Sequence, residues 1–132
     1  MDYISSRGQS PAVDSAQAVL SGLAPDGGLY MSRAIPAFDW QHCLTLSAQQ
    51  MSAAILSALL PDIPNMEALV KRAYTGKFET EDLTPTVPVG DFQVLELFRG
   101  PTSAFKDVAL SMLPQLLTAA KQEKGIAQEI RI

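Results

Sequence analysis

Apolar positions recur at helical spacing in four stretches of the chain. Within each stretch most apolar side chains stand three or four positions apart, so that they form one stripe along a helix. A glycine or a proline follows each stretch within a few positions, and these residues commonly stop a helix. The pattern predicts helices over residues 11–21, 47–60, 65–74 and 104–121, with stops at Gly22, Pro61, Gly76 and Gly125.

Two further stretches have the composition of strands. Residues 92–98, FQVLELF, are rich in β-branched and aromatic side chains, and we expect a buried strand there. Residues 129–132, EIRI, have the character of another strand, and a very short one is expected over 29–31 after the turn Asp26-Gly27-Gly28. With the predicted helix 104–121 between them, the two longer stretches form strand, helix and strand, the crossover unit of a parallel sheet.

The character of the chain changes near residue 84, where the segment TPTVPVG cannot be helical. We therefore predict an α/β fold, with a mainly helical N-terminal domain over residues 1–90 and the beginning of an α/β domain over residues 91–132. A parallel sheet needs further strands and helices on both faces. We expect the chain to be the front part of a longer protein.

Composition and charge narrow the class of protein. With 47% hydrophobic and 18% charged residues, the chain has the composition of a packed globular domain. Its 10 basic residues are scattered and outnumbered by 14 acidic ones, which argues against a nucleic-acid partner. The single cysteine, Cys43, and the single histidine, His42, cannot form an intrachain disulfide or a structural zinc site, so no metal is predicted.

No segment of the sequence predicts export or membrane insertion. The first residues, MDYISSRGQS, lack the apolar core behind a basic start that a secretory signal has. The most apolar stretch, residues 44–60, is interrupted by polar side chains and falls short of the roughly 20 apolar residues that a membrane span requires. We expect a cytoplasmic protein without membrane contact.

Lys106 is the first candidate for chemistry. It lies between the predicted strand 92–98 and the predicted helix 104–121, at the end of the strand where open α/β sheets bind their ligands. The positive end of a helix disfavours an ammonium group, which suits an amine that must be neutral to condense with an aldehyde. The alternative is a solvated lysine beside Asp107, whose carboxylate complements the helix dipole. Position alone leaves both interpretations open.

Three blocks of the sequence resemble threonine synthases. Residues 95–110, LELFRGPTSAFKDVAL, resemble the family's pyridoxal-phosphate lysine segment, which typically reads HGPTLAFKD. Residues 18–36, AVLSGLAPDGGLYMSRAIP, are similar to the family's N-terminal signature, and residues 3–9, YISSRGQ, resemble its YxSTRG opening. The blocks follow the family's order and are spread over most of the chain.

The resemblance implies a fold-type-II enzyme that uses pyridoxal 5'-phosphate. Such a lyase converts O-phospho-L-homoserine and water into L-threonine and phosphate, a step of threonine biosynthesis. The resemblance implies that Lys106 is the catalytic residue and binds the cofactor covalently. By their places in the same segment, Phe105 and Asp107 are assigned to the cofactor, and Thr102 and Ser103 to the substrate.

The chain departs from the family pattern at two positions of the lysine segment. Arg99 stands where histidine is usual; we expect it to be exposed on a turn, and the alternative is a place near an anionic substrate. Ser103 replaces a leucine and could cap the following helix. Pro114 lies inside the predicted helix, where it should cause a kink.

The family's SGDTG loop, whose backbone amides hold the cofactor phosphate, does not occur in this sequence. We therefore expect the chain by itself to be inactive. Because the predicted strand at residues 129–132 would begin a sheet without its later strands, we also expect self-association through the free sheet edge or a disordered tail. The alternative is a stand-alone, non-catalytic helical domain that acts in protein association.

Overall fold

A computed structural model describes residues 1–127. Within them lie five helices and four strands. The helices are α1 (Ser15–Ser21), α2 (Trp40–Cys43), α3 (Ala48–Leu59), α4 (Met66–Tyr74) and α5 (Asp107–Glu123). The strands are β1 (Tyr3–Ser5), β2 (Tyr30–Ser32), β3 (Thr86–Val89) and β4 (Phe92–Leu95). The predicted strand at residues 129–132 lies outside the described residues.

The four predicted helices are confirmed as α1, α3, α4 and α5, and the first and last begin later than predicted. Helix α1 begins at Ser15 because the Asp14 carboxylate caps it, accepting a hydrogen bond from the Gln17 N–H at 2.8 Å. The preceding Val13 pairs instead with Tyr3 in an antiparallel bridge. Helix α2 was not predicted, because four residues are too few to show a period.

Helix α5 begins at Asp107 because residues 101–106 form turns. It continues as one helix through Pro114, the residue expected to distort it. None of the helices in residues 1–127 is both long and apolar enough to span a membrane.

The strands form two separate antiparallel pairs. β1 pairs with β2, with Tyr3 opposite Ser32. β3 and β4 form a hairpin across a Gly90-Asp91 turn, with Val89 opposite Phe92. Every pairing in the described part of the chain is antiparallel, and the predicted parallel crossover depends on residues 129–132, outside it.

The expectation of a buried strand over residues 92–98 is wrong in two respects. The strand β4 ends at Leu95, and all four of its side chains are exposed, with Phe92 at 75%. The physical reason is that β3 supplies only a hydrogen-bonding partner at one edge and covers neither face of β4. An apolar, β-branched composition therefore indicated a strand here without indicating its burial.

The described chain forms two compact units. The first comprises residues 1–38, 55–66 and those from 116 onward, and the second comprises residues 39–54 and 67–115. The buried apolar residues of the first unit are Ala16, Ala18, Ala24, Leu60, Ile63, Met66, Leu116, Ala119 and Ala120. Those of the second are Cys43, Ala53, Leu69, Val70, Ala73, Tyr74, Leu83 and Met112. The domain boundary near residue 90 stays a prediction.

Candidate functional site

The segment between β4 and α5 ends in two consecutive tight turns. The Ser103 N–H donates to the Gly100 carbonyl at 3.1 Å, and the Asp107 N–H donates to the Ala104 carbonyl at 3.0 Å. Ser103 has a φ of 57°, in the left-handed region that few residues other than glycine adopt. Instead of the predicted helix cap, Ser103 thus provides the bend between the two turns.

Lys106 lies at the start of α5. Its carbonyl accepts the Leu110 N–H at 2.8 Å, the first bond of the helix, which makes Lys106 the N-cap residue. Serine, threonine, asparagine and aspartate are favoured there because their side chains bond to the helix amides, which a lysine cannot do. The Lys106 side chain is exposed and has no ion pair or hydrogen bond with any residue in the described range. Within the described residues, nothing competes for its amine.

Asp107 is buried and faces its own loop. One carboxylate oxygen accepts the Thr102 N–H at 2.8 Å, and the other accepts the Thr102 hydroxyl at 2.6 Å. These two bonds hold the pKa of Asp107 below its ordinary value of 3.8, and the hydroxyl bond has the larger effect. Gly100 lies against the same carboxylate: a Cβ there would come within 2.5 Å of Asp107 Cβ and Oδ2. Only glycine fits this position without a shift of the loop.

The structure thus brings together some of the predicted site residues. Thr102 and Asp107 bond to each other, whereas Phe105 and Lys106 project into solvent, with Phe105 65% exposed. Ser103 contributes its backbone turn. The assignment of these residues to cofactor and substrate stays a prediction.

The environment of Arg99 differs from the exposed turn that the sequence predicted. Its guanidinium lies 2.7 Å from a Glu79 carboxylate oxygen and 2.6 Å from one of Glu96, and it stands 5.1 Å from the centre of the Phe98 ring. The hydrogen bonds to Glu79 and Glu96 raise the pKa of Arg99 above its ordinary value. Arg99 is therefore half-buried and paired, not solvent-exposed. Its partner Glu79 is 20 positions away in the chain, so no local pattern could indicate this contact.

A second cluster of hydrogen bonds joins residues 3–9 to residues 18–36, the two N-terminal blocks of the resemblance, and the sequence analysis did not predict it. The Asp26 carboxylate accepts the Ser5 hydroxyl at 2.6 Å, the Gly28 N–H at 2.9 Å and the Gln9 N–H at 3.0 Å. The Arg7 guanidinium donates to the Asp26 carbonyl at 3.0 Å. These bonds, led by that of Ser5, lower the pKa of Asp26 to about 2. The signal in the sequence that could have indicated this cluster is the pair of serines in YISSRGQ together with the later turn Asp26-Gly27-Gly28.

Comparison with known proteins identifies related chains. Residues 2–74 match the family model described as threonine synthase N terminus. The chain is 37% identical over 139 aligned positions to the threonine synthase of Methylobacillus glycogenes, covering 95% of this chain and 29% of that protein. The match to the threonine synthase of Corynebacterium glutamicum is 40% identical over 129 positions and covers 88% and 27%.

A solved structure shows the same fold. The PLP-bound threonine synthase from Brucella melitensis aligns with a TM-score of 0.84 and 36% identity, over 95% of this chain and 28% of that one. The predicted fold class is confirmed by this alignment. The chain spans less than a third of the length of each of these three relatives.

Proposed function

The chain belongs to the threonine synthase family, and from this membership we propose that it supplies the N-terminal part of an enzyme that makes L-threonine. The substrate is O-phospho-L-homoserine; the enzyme releases its phosphate and takes the hydroxyl group of the product from water, so that no oxidant or reductant is consumed. The observation that carries the proposal is the unpaired amine of Lys106 within the FKD segment.

Pyridoxal phosphate is the proposed cofactor, and the described residues fit one of its requirements. Covalent attachment needs an accessible amine without a competing carboxylate, and the Asp107 carboxylate beside Lys106 is occupied by Thr102. When bound, this cofactor supplies an electron sink that stabilises negative charge on the amino-acid substrate. Lys106 Nζ would hold the cofactor, and the same amine would carry protons to and from the substrate.

Retention of the phosphate group needs a second element. Backbone amides at a helix N-terminus commonly bind phosphate, and the family's SGDTG loop, which has this role in the resemblance, does not occur in the 132 residues. We propose that the chain by itself is inactive and that the complete enzyme is cytoplasmic.

The decisive variant is Lys106→Ala in the complete enzyme. Loss of the amine should reduce threonine formation at least about a hundredfold, because attachment and proton transfer both depend on it. The fold should persist, since Lys106 is exposed and makes no side-chain bond in the described structure. The matched control is Lys77→Ala, which removes another exposed lysine outside the FKD segment. Full turnover in the Lys106 variant would disprove the assignment.

A second candidate function is a non-catalytic domain for protein association. The observation in its favour is the exposed apolar side chains of β4. The reading frame of the gene separates the two candidates. Continuation into an SGDTG loop favours the enzyme, and a natural stop codon after Ile132 favours the association domain.

A further inference from the structure

Thr102, in the loop before α5, and Asp107, the first residue of α5, are joined by two hydrogen bonds, one to each oxygen of the Asp107 carboxylate. We propose that Thr102 and Asp107 form a clamp that positions Lys106, and that neither residue binds cofactor or substrate itself. The inference rests on the proposed function, because it takes Lys106 as the reacting amine. It replaces the ligand contacts that the resemblance suggests for these two residues with a positioning role.

The first step is that the Asp107 carboxylate is already engaged by its own loop, because the backbone N–H groups of Ser103 and Ala104 add to the effect of Thr102 in lowering its pKa. It is 4% exposed, and each oxygen accepts one hydrogen bond from Thr102. Thr102 in turn donates its only hydroxyl proton to Asp107. A cofactor or substrate that bound to this carboxylate would have to displace bonds that are already short.

The second step is that the clamp closes the loop that carries Lys106. It ties residue 102 to residue 107, so that the bonds and the backbone between these residues form a closed ring. The backbone of Lys106 is part of this ring. The ring includes Ser103 in the left-handed region, an unfavourable conformation that persists only where its surroundings hold it. The clamp supplies that restraint.

The third step is that the clamp admits one side-chain length. Gly100 packs so closely against Asp107 that even a methyl group there would come within 2.5 Å of the carboxylate. A glutamate at 107 would keep the charge but push its longer chain against this backbone. The requirement is therefore geometric as well as electrostatic, as expected for a device that fixes the root of a flexible lysine.

Thr102→Val tests the clamp without changing charge. Valine has nearly the shape of threonine and keeps the backbone N–H, so only the hydroxyl bond to Asp107 is lost. In the 132-residue chain, NMR titration of the Asp107 carboxyl should show its pKa rising toward the ordinary value. Thr102→Ser should restore the low pKa, and Thr86→Val, the same change at an exposed position of β3, should leave it unchanged.

Kinetics of the complete enzyme then separate positioning from ligand contact. A displaced lysine slows the chemical steps, so Thr102→Val should lower kcat roughly tenfold or more with little change in KM. Asp107→Glu, which retains the charge, should show the same defect. Thr102→Ser should recover most of kcat.

Distinct results would overturn the inference. An unchanged Asp107 titration in a folded Thr102→Val chain would mean that the clamp does not exist in solution. A rise in KM at constant kcat would make Thr102 a substrate contact, and unchanged kinetics would make the clamp structural only. Each of these outcomes leaves the proposed function intact, because that function fails only if Lys106→Ala retains turnover.

Discussion

At the scale of single residues, Asp26 shows how one carboxylate organises the beginning of the chain. Its bonds to Ser5, Gln9 and Gly28 join two segments that are about 20 residues apart. Gly28 is required there, because a Cβ would collide with the Ser5 hydroxyl. The blocks that resemble the family opening and signature therefore form one hydrogen-bonded structure.

The acid behaviour of Asp26 gives a testable prediction. Its folded pKa is about 2 and its ordinary value is 3.8, so its ionised form stabilises the fold fully above about pH 5 and loses this effect as the pH falls through 2. We expect Asp26→Asn to lower the free energy of unfolding near neutral pH and to change it much less near pH 2. Urea denaturation at the two pH values measures both.

The control for this variant is Asp91→Asn. Asp91 lies exposed in the β3–β4 turn, and its side chain has no hydrogen bond within residues 1–127. The same change should therefore have little effect at either pH. An equal loss of stability for Asp26→Asn at both pH values would contradict the role assigned to its charge.

At the scale of elements, the β3–β4 hairpin is largely exposed. Phe92, Val94 and Leu95 are all exposed on β4, and isolated hairpins with free edges tend to pair with other chains. We expect the chain to self-associate as its concentration rises, and Phe92→Lys to reduce this. Sedimentation equilibrium over a concentration series measures the effect.

Ile35→Lys is the matched control for the hairpin variant. Ile35 is 88% exposed and lies outside the hairpin, so it tests whether any added charge on an apolar position has the same effect. Self-association should persist in this variant. A chain that stays monomeric at every concentration would contradict the prediction and would weaken the association-domain alternative.

At the scale of the whole molecule, the question is whether the chain alone retains pyridoxal phosphate. A cofactor is held by preorganised contacts to its phosphate and ring, and the chain has the exposed amine of Lys106 without the family's phosphate loop. We expect borohydride reduction followed by peptide mapping to find label spread over exposed lysines, including Lys71, Lys77, Lys106 and Lys124. Label at Lys106 alone, at one equivalent and resistant to dialysis, would show a working pocket in this chain.

The elements that the sequence predicted are those that depend on near neighbours. Helical spacing located α1, α3, α4 and α5, because side chains one turn apart decide which face of a helix is apolar. The FKD segment likewise pointed to Lys106, whose side chain is unpaired within the described residues, and its assignment as the reactive amine stays a prediction. Beginnings of helices were less well located, because caps such as Asp14 depend on one hydrogen bond.

Only the tertiary structure decided burial, pairing and the detailed contacts of the site. Arg99 meets Glu79, β1 meets β2, and β4 stays exposed although its composition is that of a buried strand. The Thr102–Asp107 bonds form across irregular turns, which have no period to read. The physical reason is common to all of these features: hydrogen-bond partners and covered faces depend on which distant or irregular segments meet, whereas periodicity records only the conformation of the chain around each residue.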